Sequence, residues 1–214
     1  MDQFAARPVR QLHRRKVEQV VLYGVVVIRP EVLPGVGGHN FDGSASRRPR
    51  DVVGVGSRLE ELAALDIAPS VVFVFENLET MFAIPELLAG VVTHGGGYAA
   101  PRLSRIPWIH SGRIICWGDL DSDGFAILHA LRSCCAEVTS VLMDEETLLA
   151  YRDLWVPEPK AAGGTYSSLT AGELGTLEPI RAEGNARLEQ ERIAWEFALT
   201  QLVMAATATR LAAR

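Results

Sequence analysis

Cysteine is scarce in this chain. Only Cys116, Cys134 and Cys135 occur in 214 residues, and they form no CxxC pair and no zinc-ligand spacing. That excludes a disulfide scaffold and a cysteine-held zinc, and it points to a reducing, cytoplasmic setting. Long apolar runs are also missing. The longest near the start covers 20–28 and is broken by Tyr23 and Gly24, well short of the ~18 residues a membrane helix needs. No secretory leader and no internal repeat are apparent. Net positive charge is absent as well. At −5 overall, the chain is a poor non-specific binder of polyanions. What remains is ordinary soluble composition, 48% hydrophobic and 22% charged, at a length that suits one domain or slightly more.

The charge is unevenly spread. Residues 1–50 hold nine Lys/Arg against four Asp/Glu, and the rest hold twelve against twenty-two. An acidic body thus follows a basic start. Within that start, 12–28 suggests a short helix running into a strand. After it come Pro30, Pro34, Gly35, Gly37, Gly38 and Gly43 with clustered Ser and Arg, a composition suited to loop. We therefore set 1–54 apart as a basic Gly/Pro/Arg-rich leader, 55–205 as the ordered domain and 206–214 as a tail. A basic nucleic-acid arm is the second possibility for the leader.

The body alternates strand and helix patterns. A short amphipathic helix is expected at 59–65. Val71-Val-Phe-Val-Phe75 has the β-branched and aromatic content of a buried strand. A helix over 79–88 interrupted at Pro85, a strand over 90–93 and a glycine loop over 94–98 follow. Two prolines keep any helix within 99–111 short. A strand at 113–117, a helix at 125–134, a strand at 137–143 and a helix at 145–154 complete the alternation. The expected fold is α/β, a mostly parallel four-stranded sheet flanked by helices. The tail is helical, with Thr170 and Glu173 spaced as a capping box and a long helix expected over 188–211.

Trp117-Gly-Asp119-Leu-Asp121-Ser-Asp123-Gly124 is the chemically dense segment. Period-two spacing puts Asp119 and Asp121 on one side of an extended backbone. Carboxylates crowded there repel one another unless a cation joins them. An EF-hand loop fails because its twelfth position is Ala130 and the segment follows a strand. An aspartyl-phosphate phosphatase would use Asp119 and Asp121 as nucleophile and acid. A Toprim-type site would add Glu76 from the end of a neighbouring strand and hold Mg²⁺ or Mn²⁺. The plain structural alternative is turn and cap duty, with Asp123 capping the next helix. Glu76, Asp119, Asp121, Asp123 and Asp144 all fall at predicted carboxyl ends of strands, where parallel sheets gather their sites. Arg102 and Arg105 follow the glycine loop and could touch phosphates. His94 and His110 are ordinary loop histidines by default.

Several segments together resemble one family. They are Phe73-Val-Phe-Glu76-Asn77-Leu-Glu-Thr80, Gly95-Gly-Gly97-Tyr-Ala, Pro107-Trp108, the 117–128 stretch, Leu142-Met-Asp144, the 152–159 stretch and Arg187-Leu-Glu-Gln-Glu191-Arg-Ile-Ala-Trp195. In this order they are similar to the C-terminal domain of the JetD proteins of Wadjet systems, over about residues 55–205. The resemblance implies a Toprim fold related to type IIB topoisomerase A subunits. It also implies metal-dependent cleavage of double-stranded DNA in anti-plasmid defence, by a homodimer working with an SMC-like complex. Position by position, Glu76 matches the Toprim glutamate as the catalytic residue. Asp119 and Asp121 match the DxD pair, and Gly95, Gly97 and Gly124 match its glycines. Asp123 stands where the family more often has His, adding a third acid beside the metal pair; Asp144 is peripheral. A domain that keeps the fold but only dimerises or docks on an SMC-like partner is the other function consistent with these residues.

Overall fold

The computed structural model describes residues 25–28, 55–56, 59–84, 90–95 and 97–208. Eight strands and six α-helices are defined among them: β1 (Val25–Ile28), β2 (Val55–Gly56), α1 (Leu59–Ala63), β3 (Val71–Phe75), α2 (Leu78–Ala83), β4 (Val91–His94), β5 (Arg113–Trp117), α3 (Ser122–Cys134), β6 (Val138–Ser140), α4 (Glu145–Ala150), β7 (Val156–Pro157), α5 (Ala171–Ala182), β8 (Ala186–Arg187) and α6 (Trp195–Thr207). The main sheet runs β2-β1-β4-β3-β5-β6. Its four strands β4, β3, β5 and β6 are parallel, as the alternation predicts. β1 and β2 extend it as an antiparallel edge. β1 comes from the stretch set apart as a leader; most of 1–54 lies outside the described residues.

The centre of the sheet is the centre of the core. All five residues of β3 are buried, and so are Ile114 to Trp117 of β5. Strands covered on both faces carry continuous apolar sequence rather than alternation. α3 buries Phe125, Leu128 and Leu131 and packs against a 3-10 segment at Gly97–Arg105. α6 packs on β5, and its Ala198 and Leu202 are buried. The Arg113 guanidinium, at the start of β5, donates to the carbonyls of Ala206 and Ala208. It thereby satisfies acceptors left open at the end of α6. Trp108 Nε1 donates to Leu62 O at 2.7 Å, tying α1 to the 3-10 turn at Pro107–Ser111.

Element ends depart from sequence expectation for identifiable reasons. α2 stops at Ala83 because Ile84 precedes Pro85 and is extended, with ψ 123°, the conformation a following proline imposes. The strand expected over 137–143 is cut to Val138–Ser140; Leu142 has φ +60°, which ends extended structure. The helix expected over 188–211 begins only at Trp195. Leu188 instead bridges to Leu120, with backbone hydrogen bonds of 3.0 and 3.1 Å. α3 starts at Ser122 rather than 125, because Asp121 caps it.

The expected capping box is present. Glu173 N donates to Thr170 Oγ1 at 3.3 Å, and Thr170 N donates to Glu173 Oε2 at 2.7 Å. Glu173 also pairs with Arg132 and accepts from Ser140 Oγ, which holds its carboxyl below the ordinary range against the effect of burial. Thr170→Ala is expected to lower stability by about 1 kcal/mol, the usual worth of such a cap. Thermal unfolding measures it, and an unchanged midpoint would mean the cap is dispensable.

Candidate functional site

β3 and β5 run side by side in parallel register, with Phe75 opposite Trp117. The residues that follow are therefore neighbours by construction. Glu76 N donates to Trp117 O at 3.3 Å, and Asp119 N donates to the Glu76 carboxylate at 3.2 Å. Gly118 sits between them. A Cβ there would lie 2.9 Å from Glu76 Oε2, so a side chain would push the carboxylate aside. Asp121 then N-caps α3, its Oδ1 accepting from Gly124 N at 2.7 Å. Gly124 is required by contact: a Cβ would lie 2.1 Å from the Asp119 carbonyl oxygen. The D-x-D-x-x-G spacing thus folds the strand end onto the first turn of α3.

The two aspartates are 4% exposed. Asp119 Oδ1 accepts from Gln190 N at 2.8 Å, and its Oδ2 accepts from Arg187 Nε at 3.1 Å and Nη2 at 2.5 Å. Arg187 Nε also lies 3.3 Å from Asp121 Oδ2. One guanidinium therefore faces two aspartates, with Glu76 behind them. Burial, then the charge of Asp119, pushes the Glu76 carboxyl up to about 7. Burial, and further the charges of Asp119 and Glu158, pushes Asp121 up to about 6 against the opposing Gly124 hydrogen bond.

The other predicted residues fall around this centre at different removes. Asp123 is half-buried in the first turn of α3. Asp144 is exposed and caps α4, accepting from Thr147 N at 2.8 Å. It borders a separate cavity of about 400 Å³ with Arg132, Ser140 and Glu173. Gly95, Gly97, Gly118 and Gly124 line a narrow crevice with Glu76. Gly95 N donates to Phe75 O at 2.7 Å, and Gly97 has φ +59°, a conformation glycine adopts freely. Arg102 and Arg105 are exposed on the 3-10 segment beyond the loop. His94 Nε2 lies 2.7 Å from Glu76 O; the carbonyl can only accept, so this nitrogen carries the proton.

Residues from the far end of the chain complete the site, and sequence reasoning gave them no role. Besides Arg187, Gln190 accepts from Asn77 N through its side-chain oxygen at 3.1 Å. Asn77 Nδ2 donates to Glu191 at 2.9 Å while its oxygen caps α2. Glu158 accepts from Ser122 N and Oγ at 3.2 and 2.7 Å. The signal was the charged 187–195 motif, whose helical composition concealed an extended start at Arg187 and Leu188 and a 3-10 turn at Gln190–Arg192.

The donor chemistry fits a hard divalent cation. Carboxylate oxygens lie at adjacent strand ends, and the single Arg187 guanidinium balances only part of their buried charge. Among the described residues, however, no group of three or more His, Cys, Asp or Glu is already arranged as a metal cage. Arg187 holds the aspartates instead.

A buried acidic cluster at the carboxyl ends of the central parallel strands β3 and β5 marks the candidate site of an α/β domain. Over residues 42–202 the chain matches the family described as Wadjet protein JetD, C-terminal, and it belongs to that family. Membership associates it with the Wadjet anti-plasmid systems and with a complex of their subunits. Among curated proteins, none matches the chain. No helix among the described residues is long and apolar enough to cross a membrane.

Proposed function

We propose that this chain carries a Toprim-type centre that cleaves double-stranded DNA with Mg²⁺ or Mn²⁺, in the cytoplasm, as a homodimer working with the SMC-like Wadjet subunits. The observation that carries the reading is the placement of Glu76 against Asp119 and Asp121 across adjacent strand ends. Asp119 and Asp121 are the residues that would hold the cation. Bound there, the cation would polarise a phosphodiester and stabilise the leaving oxygen. Glu76, with a carboxyl raised to about 7, can take or give a proton near neutral pH. Gly118 and Gly124 leave the space that the Glu76 carboxylate and the Asp119 carbonyl oxygen occupy. Arg102 and Arg105, exposed beyond the glycine loop, are candidate phosphate contacts.

The test is cleavage of supercoiled plasmid by the chain alone and with its Wadjet partners. Nicking or linearisation that requires Mg²⁺ or Mn²⁺, and that Glu76→Ala removes with folding intact, is the expected result. Absence of metal-dependent cleavage in both settings would turn the assignment to a docking or dimerisation domain. One observation favours that second reading. Phe197 and Met204, two turns apart on α6, are 42% and 59% exposed, an apolar face of the kind that marks interfaces.

A further inference from the structure

The four oxygens of Asp119 and Asp121 are divided in a consistent way. Each Oδ1 accepts from a backbone N–H, that of Gln190 for Asp119 and that of Gly124 for Asp121. These bonds fix the fold: one holds the chain after β8 and the other starts α3. Each Oδ2 faces the same guanidinium, at 2.5 Å from Nη2 for Asp119 and 3.3 Å from Nε for Asp121. The pair thus presents two free-standing oxygens to one shared positive charge.

Arg187 is also the part of this arrangement able to leave. Its side chain is 31% exposed, against 6% for Asp119 and 5% for Asp121. Its backbone is pinned, because β8 pairs with β7 and Leu188 bridges to Leu120. Release therefore needs rotation of the side chain alone. Glu189, whose Oε1 is 3.9 Å from Nη2 and whose Oε2 accepts from Arg192 Nε at 2.8 Å, offers the departing guanidinium a third, partly exposed carboxylate.

We infer that Arg187 is a built-in counter-cation that a divalent metal must displace from the Oδ2 atoms of Asp119 and Asp121, and that it thereby sets the metal affinity of the site. This rests on the metal role proposed above for the two aspartates. A resident monovalent cation balances part of the buried charge, and a divalent ion supplies more but only once the guanidinium has moved. The two cations are then negatively coupled ligands of one pair of oxygens, and such coupling is reciprocal.

Binding of Mn²⁺ alone to the full chain tests this, read from the spectroscopic signal of free Mn²⁺ and from the rise in unfolding temperature that binding causes. Arg187→Gln is expected to bind Mn²⁺ about tenfold more tightly than wild type, within the usual range of coupling between sites, and to show the larger thermal rise. Arg187→Lys keeps the charge but loses the two-pronged contact, and should fall between the two. Should Arg187→Gln not fold, the lysine variant carries the comparison. Asp119→Asn should lose the binding, which locates the ion at this pair. Equal or weaker binding by the Arg187 variants, while wild type binds through Asp119, overturns the inference and leaves the metal role standing. Unaltered binding in Asp119→Asn, or none in any variant, overturns both.

Discussion

Asp119→Ala is expected to lower the unfolding free energy by about 3 kcal/mol, at the low end of what breaking a buried ion pair costs. The side chain joins two distant parts of the chain: the end of β5 and the 187–190 stretch, where it meets the Arg187 guanidinium and the backbone of Gln190. Truncation leaves the buried Gln190 N–H without its acceptor, which alone costs about 1–3 kcal/mol. Arg187 loses its closest carboxylate but keeps Asp121 at 3.3 Å and is partly exposed, which limits the penalty. Relief of repulsion on Glu76 offsets some of the remainder. Asp119→Asn retains an oxygen for Gln190 and should cost less than the alanine variant. Urea unfolding at neutral pH, with the slope checked for constancy, measures both. An asparagine variant less stable than alanine would show that the Gln190 contact is not what Asp119 supplies. Under the proposed function both variants lose cleavage, so their difference in stability separates folding from chemistry.

The inner sheet was legible because its strands are short, apolar and bounded by glycine, proline or acids. Val71–Phe75 and Arg113–Trp117 match their expected limits to the residue. Adjacent β3 and β5 then bring Glu76 and Asp119 together as a consequence of topology, since parallel strands in register end at the same level. Arg187 was not legible in the same way. Its closest partner, Asp119, lies 68 positions away in sequence, and the surrounding composition favours a helix. Extended pairing of Leu188 with Leu120 overrides that preference, because it places the arginine and Gln190 against buried carboxylates that otherwise have too few donors. Local propensity carries no information about such a demand. The same holds for Glu158, whose bonds to Ser122 anchor the start of α3 from a loop 36 residues on.

Glu76→Gln is expected to stabilise the protein above neutral pH by as much as about 3 kcal/mol in the presence of a chelator, and to change little at pH 4. The folded protein raises this carboxyl from an ordinary 4.5 to about 7, through burial and the charge of Asp119. In the unfolded chain Glu76 gives up its proton near 4.5; in the folded protein it keeps it to about 7. Between those values the folded state binds the extra proton, so stability falls as pH rises across this window and levels off above it. Glutamine cannot ionise and escapes that loss, while its oxygen can still accept from the Asp119 N–H. Asp121, raised from 3.8 to about 6, adds a loss of the same sign that persists in the variant. Because the two carboxyls face the same aspartate, their titrations are coupled and the steps do not simply add. Glu173 works in the opposite direction: its carboxyl is held below the ordinary range, so its contribution is present above that range and lost as pH falls. The informative quantity is thus the difference between wild type and variant across pH 4–8, rather than either curve alone. A difference that stays flat would mean Glu76 ionises normally and carries no proton at neutral pH. One that opens between pH 4.5 and 7 and then shrinks on adding Mg²⁺ would tie the same carboxylate to the cation, since positive charge at the aspartates lowers the cost of ionising Glu76.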